Sequence, residues 1–269
     1  MKALNYKIIS LFIILIISIP AGYLLKEKAI QINLDSKFAP TSLHHPLGTD
    51  ELGRDILART ICALGNSASI ILIASLLSIS FGITIGGIVG LTENKIAKYT
   101  FENTFNALWA LPGIPLFVAI LTYFPRNTIS ISLTISTLTW IVPARTIRFI
   151  IESEKRKLYV YALKSFGYPK KTILKFILYN IKESIIISTL FTILDIIITE
   201  STISFLGLGL QPPEPSLGSM IYNSLNYLNQ APLLFISPFL TLIFLLISLF
   251  LFISKTQEVS KNVSISIPV

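Results

Sequence analysis

The sequence holds few of the residues from which catalytic centres and metal sites are usually built. Its 269 residues include one cysteine and two adjacent histidines, His44 and His45. A lone cysteine cannot form an intramolecular disulfide, and neighbouring residues of an extended chain point in opposite directions, which disfavours a metal shared by both histidines. We therefore expect Cys62 to be a buried thiol, and we expect the chain to be no enzyme and to hold no metal or other cofactor itself.

Charged residues are also scarce, at 13% of the chain, whereas a soluble domain carries about a quarter. The hydrophobic share of 52% and a mean hydropathy of +0.72 indicate an integral membrane protein, with membrane lipid as a partner. The net charge of +8 is better explained by loop lysines and arginines that set membrane topology than by nucleic acid, because no basic stripe is interleaved with stacking aromatics.

Long apolar runs are what the sequence has in abundance. A spanning helix needs about 20 mostly apolar residues. The first run follows Lys2 and Lys7 as a signal peptide would, but its length and the lack of a small-residue cleavage site favour a retained anchor. We predict an all-α, polytopic membrane protein with about six transmembrane helices: Ile8–Leu25, Ser67–Leu91, Phe105–Phe124, Ile129–Ala144, Ser184–Leu206 and Leu233–Ile253.

The distribution of positive charge predicts the topology. Ten of the 22 lysines and arginines lie in residues 145–182. Because strongly basic loops stay on the cytoplasmic side, this loop and both termini are predicted to be cytoplasmic, with segments 26–66 and 207–232 outside. The predicted division is an N-terminal anchor with an extracytoplasmic segment (1–66), a transmembrane core (67–253) that contains the basic loop (145–182), and a cytoplasmic tail (254–269).

The basic loop reads as two helices joined by a tight turn. The first begins near Glu152, and residues 158, 162, 165 and 166 approximate one apolar face. Gly167 suits a left-handed helix cap, and Pro169 ends one helix while suiting the start of the next. We call residues 145–182 the elbow. A second small-residue pattern, Gly82, Gly86 and Gly90, forms a stripe on one helix face and favours close helix packing.

Two motifs are unusually specific. Residues 45–55 read HPLGTDELGRD, and residues 200–218 read ESTISFLGLGLQPPEPSLG. They resemble the H-P-L-G-T-D-x-x-G-R-D and E-x-x-x-S-F-L-G-L-G-x-x-P-P-x-P-S-x-G signatures of the second permease subunit of bacterial ABC importers for oligopeptides, dipeptides and nickel. Residues 161–167 resemble the E-A-A-x-x-x-G loop of such permeases, with Tyr161 at the Glu position and Leu163 at the second Ala position.

The resemblance implies a type I importer permease that forms half of a translocation path for short peptides, or for nickel or another small solute. Its partners would be a second, different permease, two cytoplasmic ATPases that bind ATP and magnesium, and an extracytoplasmic solute-binding protein, all at the bacterial inner membrane. Segment 152–181 would couple to the ATPases, and residues 67–253 would be the permease core. The coupling residues would be Tyr161, Ala162, Leu163, Lys164, Phe166 and Gly167, and the extracytoplasmic motif residues Gly48, Asp50, Gly53, Arg54, Asp55, Gly207, Gly209, Pro212 and Pro213.

Two carboxylates stand out within the fifth apolar run. A charge inside a span costs about 2.5–3.5 kcal/mol, so Asp195 and Glu200 should face a cavity, a partner or a polar network. On a helix they point about 140° apart, so they should not share a catalytic site. Glu200 matches the motif and is expected to brace the Gly/Pro segment. Asp195 is expected to line the solute path or to meet an arginine of the partner subunit.

Other classes remain open from sequence. A secondary transporter or channel would work without ATPases. A multi-span enzyme would need catalytic clusters within its spans. A non-transporting relative of the permeases would suit the substituted positions of the E-A-A motif.

Overall fold

The computed structural model describes the backbone of residues 17–265 and the side chains of residues 17–257. Within this range the chain is mostly helical, and residues 17–24 are helical where the description begins. The β pairing found there is a single antiparallel bridge between Thr49 and Asp55. The all-α prediction is therefore confirmed. The helices are α1 (Lys26–Ile30), α2 (Ile56–Leu91), α3 (Lys95–Trp109), α4 (Gly113–Tyr123), α5 (Thr128–Thr139), α6 (Ile141–Lys155), α7 (Leu158–Ser165), α8 (Lys170–Ile203), α9 (Leu217–Ser224) and α10 (Pro232–Ile265).

Short polar side chains begin several of these helices. Asp55 accepts a hydrogen bond from the Ala58 N–H at the start of α2, and Asn127 and Ser216 cap α5 and α9 in the same way. Such caps satisfy backbone N–H groups that have no partner within the helix. The residues at which these three helices begin are therefore determined by the local sequence.

Length and apolar composition support two spanning helices among the described residues, α2 and Pro232–Gln257 of α10. A third span results if α3 and α4 are counted together, but their axes bend by 81°. The predicted span Phe105–Phe124 is therefore not one continuous helix, because it is divided between α3 and α4. Pro112 stands just before α4, and proline cannot donate the backbone hydrogen bond that would continue α3. Spanning helices are confirmed, while their total of six stays a prediction.

The remaining predicted spans fall into three situations. The first half of Ile8–Leu25, residues 8–16, lies outside the described residues. The segment Ile129–Ala144 is divided at Trp140 between α5 and α6, and Ser184–Leu206 forms the second half of α8 and the turn after it. The predicted tail from residue 254 continues α10 as helix to Ile265, so the domain boundaries stay a prediction.

The main core lies where α2, α4, α5, α8 and α10 meet. It is built largely from isoleucines and leucines that are shielded from the surroundings by their neighbours, which stabilises the bundle by close packing. Fully buried members of this cluster include Ile70, Ala74, Ile131, Ile135, Ile196 and Leu249.

The glycine stripe packs α2 against α6. A Cβ atom on Gly82 would lie 2.8 Å from Pro143 Cγ, and one on Gly86 would overlap the carbonyl oxygen of Ala144. A Cβ on Gly90 would lie 3.0 Å from Ile151 Cβ and 3.2 Å from the backbone of Arg148 on α6. The prediction that this stripe serves helix packing is confirmed, and the packing is within the chain.

Replacing Gly86 with alanine should destabilise the chain by about 1–3 kcal/mol, because α2 and α6 must separate to admit the new methyl group. The neighbouring Gly87 is the matched control, since an added Cβ there meets nothing within 4 Å. Thermal unfolding of the two purified variants in detergent measures the difference. Equal midpoints for Gly86→Ala and Gly87→Ala would contradict the packing role.

Candidate functional site

Glu200 is fully buried and joins four parts of the chain. Its Oε1 accepts hydrogen bonds from Ser204 Oγ at 2.9 Å and Ser67 Oγ at 3.2 Å, and its Oε2 accepts one from Ser201 Oγ at 3.4 Å. Ser67 Oγ in turn accepts the Leu217 N–H at 3.3 Å. We call this network the Glu200 hub. It ties α2, the end of α8, the following turn and the start of α9 together, in the bracing position expected from the sequence.

The turn after Glu200 depends on glycine in two different ways. Gly207 has φ +80°, a left-handed conformation that favours glycine. Gly209 and Gly218 instead allow close approach, because a Cβ on Gly209 would lie 2.5 Å from Ser204 Oγ and one on Gly218 would overlap the Ser201 carbonyl oxygen. Arg126 Nη1 also donates to the Gly207 carbonyl at 2.7 Å, which pins the α4–α5 loop to this turn.

The motif at residues 45–55 folds around Asp50, which is fully buried. Its Oδ1 accepts the N–H groups of Leu52 and Arg54, each at 2.9 Å. Its Oδ2 lies 2.7 Å from Arg54 Nε and 3.3 Å from Arg59 Nε. Buried charges are stable only when they are paired and hydrogen-bonded in this manner. Gly48 and Gly53, with φ +79° and +70°, form the turns on either side.

Asp55 links the start of α2 to the segment before it. Besides capping α2, its Oδ2 contacts Lys28 Nζ at 2.9 Å and His45 Nδ1 at 3.0 Å. Burial alone would raise the pKa of Asp55, but the hydrogen bonds from the Ala58 N–H, Lys28 and His45 together hold it below its ordinary value. Asp55 therefore both caps α2 and forms an ion pair at its start. The residues Gly48, Asp50, Gly53, Arg54 and Asp55 thus form one buried polar cluster.

Acidification should remove the contribution of Asp55 to stability. A depressed carboxyl pKa stabilises the folded chain above the unfolded value of about 4, and this contribution is lost as pH falls through the lower folded value. Asp55→Asn, which keeps a helix-capping side chain, should therefore unfold at a lower temperature at pH 7 and show a weaker decline between about pH 4 and pH 3. Asp35→Asn, at an exposed position, is the control. A decline identical to wild type in Asp55→Asn would rule out this linkage.

The two motifs meet around one cavity of about 410 Å³. Although more than 140 positions separate them in sequence, Arg54 from the first motif faces Gly207 and Gly209 from the second across this space. The Glu200 hub lies beneath, since Ser204 also lines the cavity. Of the predicted extracytoplasmic residues, Arg54, Gly207, Gly209, Pro212 and Pro213 line the cavity directly.

Several cavity residues were not predicted from sequence. Arg59 lies inside the first turns of α2, and its charge within an apolar run was a usable signal. Glu214 lies among the prolines and is bound by Lys26 at 2.5 Å. Tyr222 and Asn226, on and after α9, carried no sequence signal that set them apart.

Asp195 has a different environment from Glu200. It is exposed on the surface of the chain, and the described residues offer it no ion-pair partner. The prediction that the two carboxylates do not share a site is confirmed by the Glu200 hub, which does not include Asp195.

At the far end of α8 lies the elbow. Gly167 adopts φ +76°, and its N–H donates to the Lys164 carbonyl at 3.0 Å while the Tyr168 N–H donates to Leu163 at 3.1 Å. These two bonds define a Schellman cap, which ends α7, and α8 starts directly after Pro169. The predicted turn chemistry is confirmed. The elbow has its own small core: Ile147, Ile151, Val160, Ile173, Ile177 and Ile181.

The predicted packing face of α7 is wrong. Leu158 and Phe166 are 85% and 80% exposed, and the helix packs through Val160 instead. The predicted single helix from Glu152 is also interrupted, because α6 ends at Lys155 and α7 begins at Leu158. Tyr159 stabilises this break, because its hydroxyl donates to Glu154 at 2.9 Å. Burial raises the pKa of Tyr159 to about 12; a hydrogen bond with Asn180 lowers this pKa, and the one with Glu154 raises it.

The reversal leaves an apolar surface on the outside of α7. Tyr161 is 53% exposed beside Leu158 and Phe166, and Ala162 is exposed with them. We call these four residues the docking face. Lys164 is exposed, with its Nζ 5.9 Å from the Tyr161 ring centre, whereas Leu163 is half-buried against the elbow core. Exposed aromatic and aliphatic groups on a short, rigid helix are typical of a protein contact surface.

The sequence of this chain is similar to those of known membrane transport proteins. Residues 82–257 match the family described as the binding-protein-dependent transport system inner membrane component. The chain is 30% identical over 201 residues to the oligopeptide transport system permease protein OppC of Bacillus subtilis, and 30% identical over 219 residues to the dipeptide transport system permease protein DppC of the same organism. These matches cover 74% and 80% of this chain. They span about two thirds of the relatives, 66% and 68% of their lengths.

A solved structure supports the fold. A chain from the MetNI methionine ABC transporter, determined in inward-facing conformations, superposes with a TM-score of 0.56 and 14% identity. The match covers 77% of this chain and 97% of the other. At this identity the likeness concerns the fold alone, and it agrees with the predicted type I permease arrangement.

Proposed function

This chain belongs to the family of binding-protein-dependent transport system inner membrane components, and we propose that it is one permease subunit of an importer for short peptides. The substrate class is supported by the names of its relatives, which are oligopeptide and dipeptide permeases. Nickel or another small solute is the alternative within the group that the sequence motifs resemble. Family membership is the observation that carries the proposal.

The proposed assembly has four further components. A second, different permease completes the translocation path, and an extracytoplasmic binding protein delivers the solute. Two cytoplasmic ATPases bind ATP and magnesium, so this chain performs no hydrolysis itself. In this arrangement the elbow and both termini face the cytoplasm of the bacterial inner membrane, as the basic loop predicts.

The docking face is the proposed contact with an ATPase. Its four residues are apolar and mostly exposed, on a helix of only eight residues held between a Schellman cap and the elbow core. A short helix that is fixed in this way can pass a displacement on to the helix that follows it. Asp195 is proposed to meet the second permease or the solute path, because an exposed carboxylate in a span requires a polar neighbour.

Helix α8 connects the docking face to the Glu200 hub. It runs for 34 residues without proline or glycine, so about 45 Å separate Lys170 from Glu200 at 1.5 Å per residue. Movement of the elbow is thereby carried to the Gly/Pro turn and the 410 Å³ cavity. We propose that closure of the ATPases shifts the elbow and opens this cavity to the solute, which amounts to alternating access.

Affinity purification of the tagged full-length chain in mild detergent tests the assembly. We expect an ATP-binding subunit and a second permease to be recovered with it in stoichiometric amounts. A chain that returns alone in several detergents would overturn the importer proposal and favour a channel or secondary transporter. The solute is tested separately, by uptake of a labelled dipeptide and of nickel in cells with and without the gene.

Leu158→Asp and Phe166→Asp should release the ATPase in the same purification while the second permease remains bound. Both side chains are at least 80% exposed, so the substitutions should not disturb folding. Ile96→Asp is the control, since Ile96 is 76% exposed on α3, outside the elbow. Loss of the ATPase in all three variants equally would argue against a specific contact.

A further inference from the structure

A second cavity, of about 400 Å³, lies inside the elbow. It opens between α7, the last residue of α6 and the first turns of α8. Its wall carries three lysines and one carboxylate: Lys155, Lys164, Lys170 and Glu93. Its remaining lining is apolar: Leu91, Val160, Ile173, Leu174 and Ile177.

Positive charge in this cavity is not balanced. Three lysines and one carboxylate line it, and in the part of the chain that the structure describes none of the three lysines forms an ion pair. Lys155 instead donates to the Gly90 and Leu91 carbonyls at 3.4 and 3.2 Å. Burial, followed by repulsion from Lys98 and Lys164, lowers the pKa of Lys155. An anion would relieve this repulsion.

The cavity also lies beside the end of a spanning helix. It adjoins Leu91, the last residue of the spanning helix α2. Leu91 also ends the apolar run of α2, and the end of an apolar run is expected near the boundary between hydrocarbon and water, where phospholipid headgroups are found. Basic pockets between helices at this level on the cytoplasmic side suit anionic headgroups.

We propose that this cavity binds one anionic phospholipid, with its phosphate among Lys155, Lys164 and Lys170 and its acyl chains against the apolar floor. A protein segment is a poorer occupant, because the docking face lies on the opposite, outer surface of α7. The lipid would fill the space between α7 and the body of the chain, so that the elbow moves as one piece with α8. This inference rests on the membrane location of the chain and not on the identity of its solute.

Native mass spectrometry of the full-length chain, purified with whatever subunits accompany it, tests the site. The probes are phosphatidylglycerol and phosphatidylcholine with identical acyl chains. The variant Lys164→Gln/Lys170→Gln should bind phosphatidylglycerol roughly thirtyfold more weakly, with phosphatidylcholine binding unchanged. The matched control is Lys171→Gln/Lys175→Gln, which removes the same charge from the same stretch outside the cavity and should stay within about twofold of wild type.

A gain-of-binding variant guards against misfolding as an explanation. Glu93→Gln removes the carboxylate from the cavity and should tighten phosphatidylglycerol binding about fivefold. Equal loss in the two lysine double variants would overturn the proposal, as would an unchanged affinity in Glu93→Gln. Displacement of phosphatidylglycerol by millimolar inorganic phosphate would show a free-anion site and would also overturn the lipid assignment.

Discussion

Glu200→Ala should lower the stability of the purified chain by about 3 kcal/mol and its thermal midpoint by roughly 10 °C. Three serine hydroxyls that now donate to the carboxylate would lose their acceptor in a fully buried site. An unsatisfied buried polar group costs about 1–3 kcal/mol, and the missing side chain also leaves a void. The joint between α2, α8 and α9 would loosen, so surface abundance in cells should fall with stability.

The controls for this result lie on the same helix. Asp195→Ala removes an equal charge from α8 at an exposed position and should change the midpoint of the isolated chain little. Glu200→Gln retains an acceptor oxygen for the serines and should fall between wild type and Glu200→Ala. If Asp195→Ala and Glu200→Ala were equally destabilised, the hub would not be the source of the effect.

Gly167→Val should uncouple ATP hydrolysis from uptake while leaving the protein in the membrane. A β-branched residue at φ +76° costs about 1–2 kcal/mol of backbone strain, enough to change the population of the elbow conformation roughly tenfold. An added Cβ meets nothing within 4 Å, so the effect would come from the turn and not from a clash. Uptake of labelled peptide per ATP hydrolysed measures it, and we expect a decrease of about tenfold.

Asparagine at the same position provides the comparison, because it tolerates the left-handed conformation better than other non-glycine residues. Gly167→Asn should retain most of the coupling ratio. Wild-type coupling in Gly167→Val would remove the elbow from the mechanism, whereas equal losses in both variants would point to a requirement for glycine itself.

The elbow shows which features sequence can predict. Gly167 and Pro169 have backbone preferences that act within a few residues, so the left-handed cap and the start of α8 followed from them directly. The regular spacing of Gly82, Gly86 and Gly90 likewise predicted a packed stripe. In each case the conformational preference or spacing of a few neighbouring residues was enough for the prediction. Tertiary contacts determined only which helix packs against them.

Other features depended on contacts that a single sequence does not reveal. The face of α7 was misassigned because Leu158 and Val160 are equally apolar, and only the position of α8 decides which one is buried. The cavity is lined by Arg54 from one motif and Gly207 from the other. Neither pattern indicates that the two motifs lie close together in the fold.

The short helix α1 also bears on how the cavity responds to its surroundings. Lys26 pairs with Glu214, which lines the cavity, and Lys28 pairs with Asp55 at the start of α2, so the cavity wall and the start of α2 are both tied to one short helix. Both ammonium groups are partly exposed, and exposed ion pairs weaken as counterions screen them over about 8–10 Å at ordinary salt concentrations. We therefore expect the attachment of α1 to the cavity wall to weaken as the ionic strength of the surrounding medium rises.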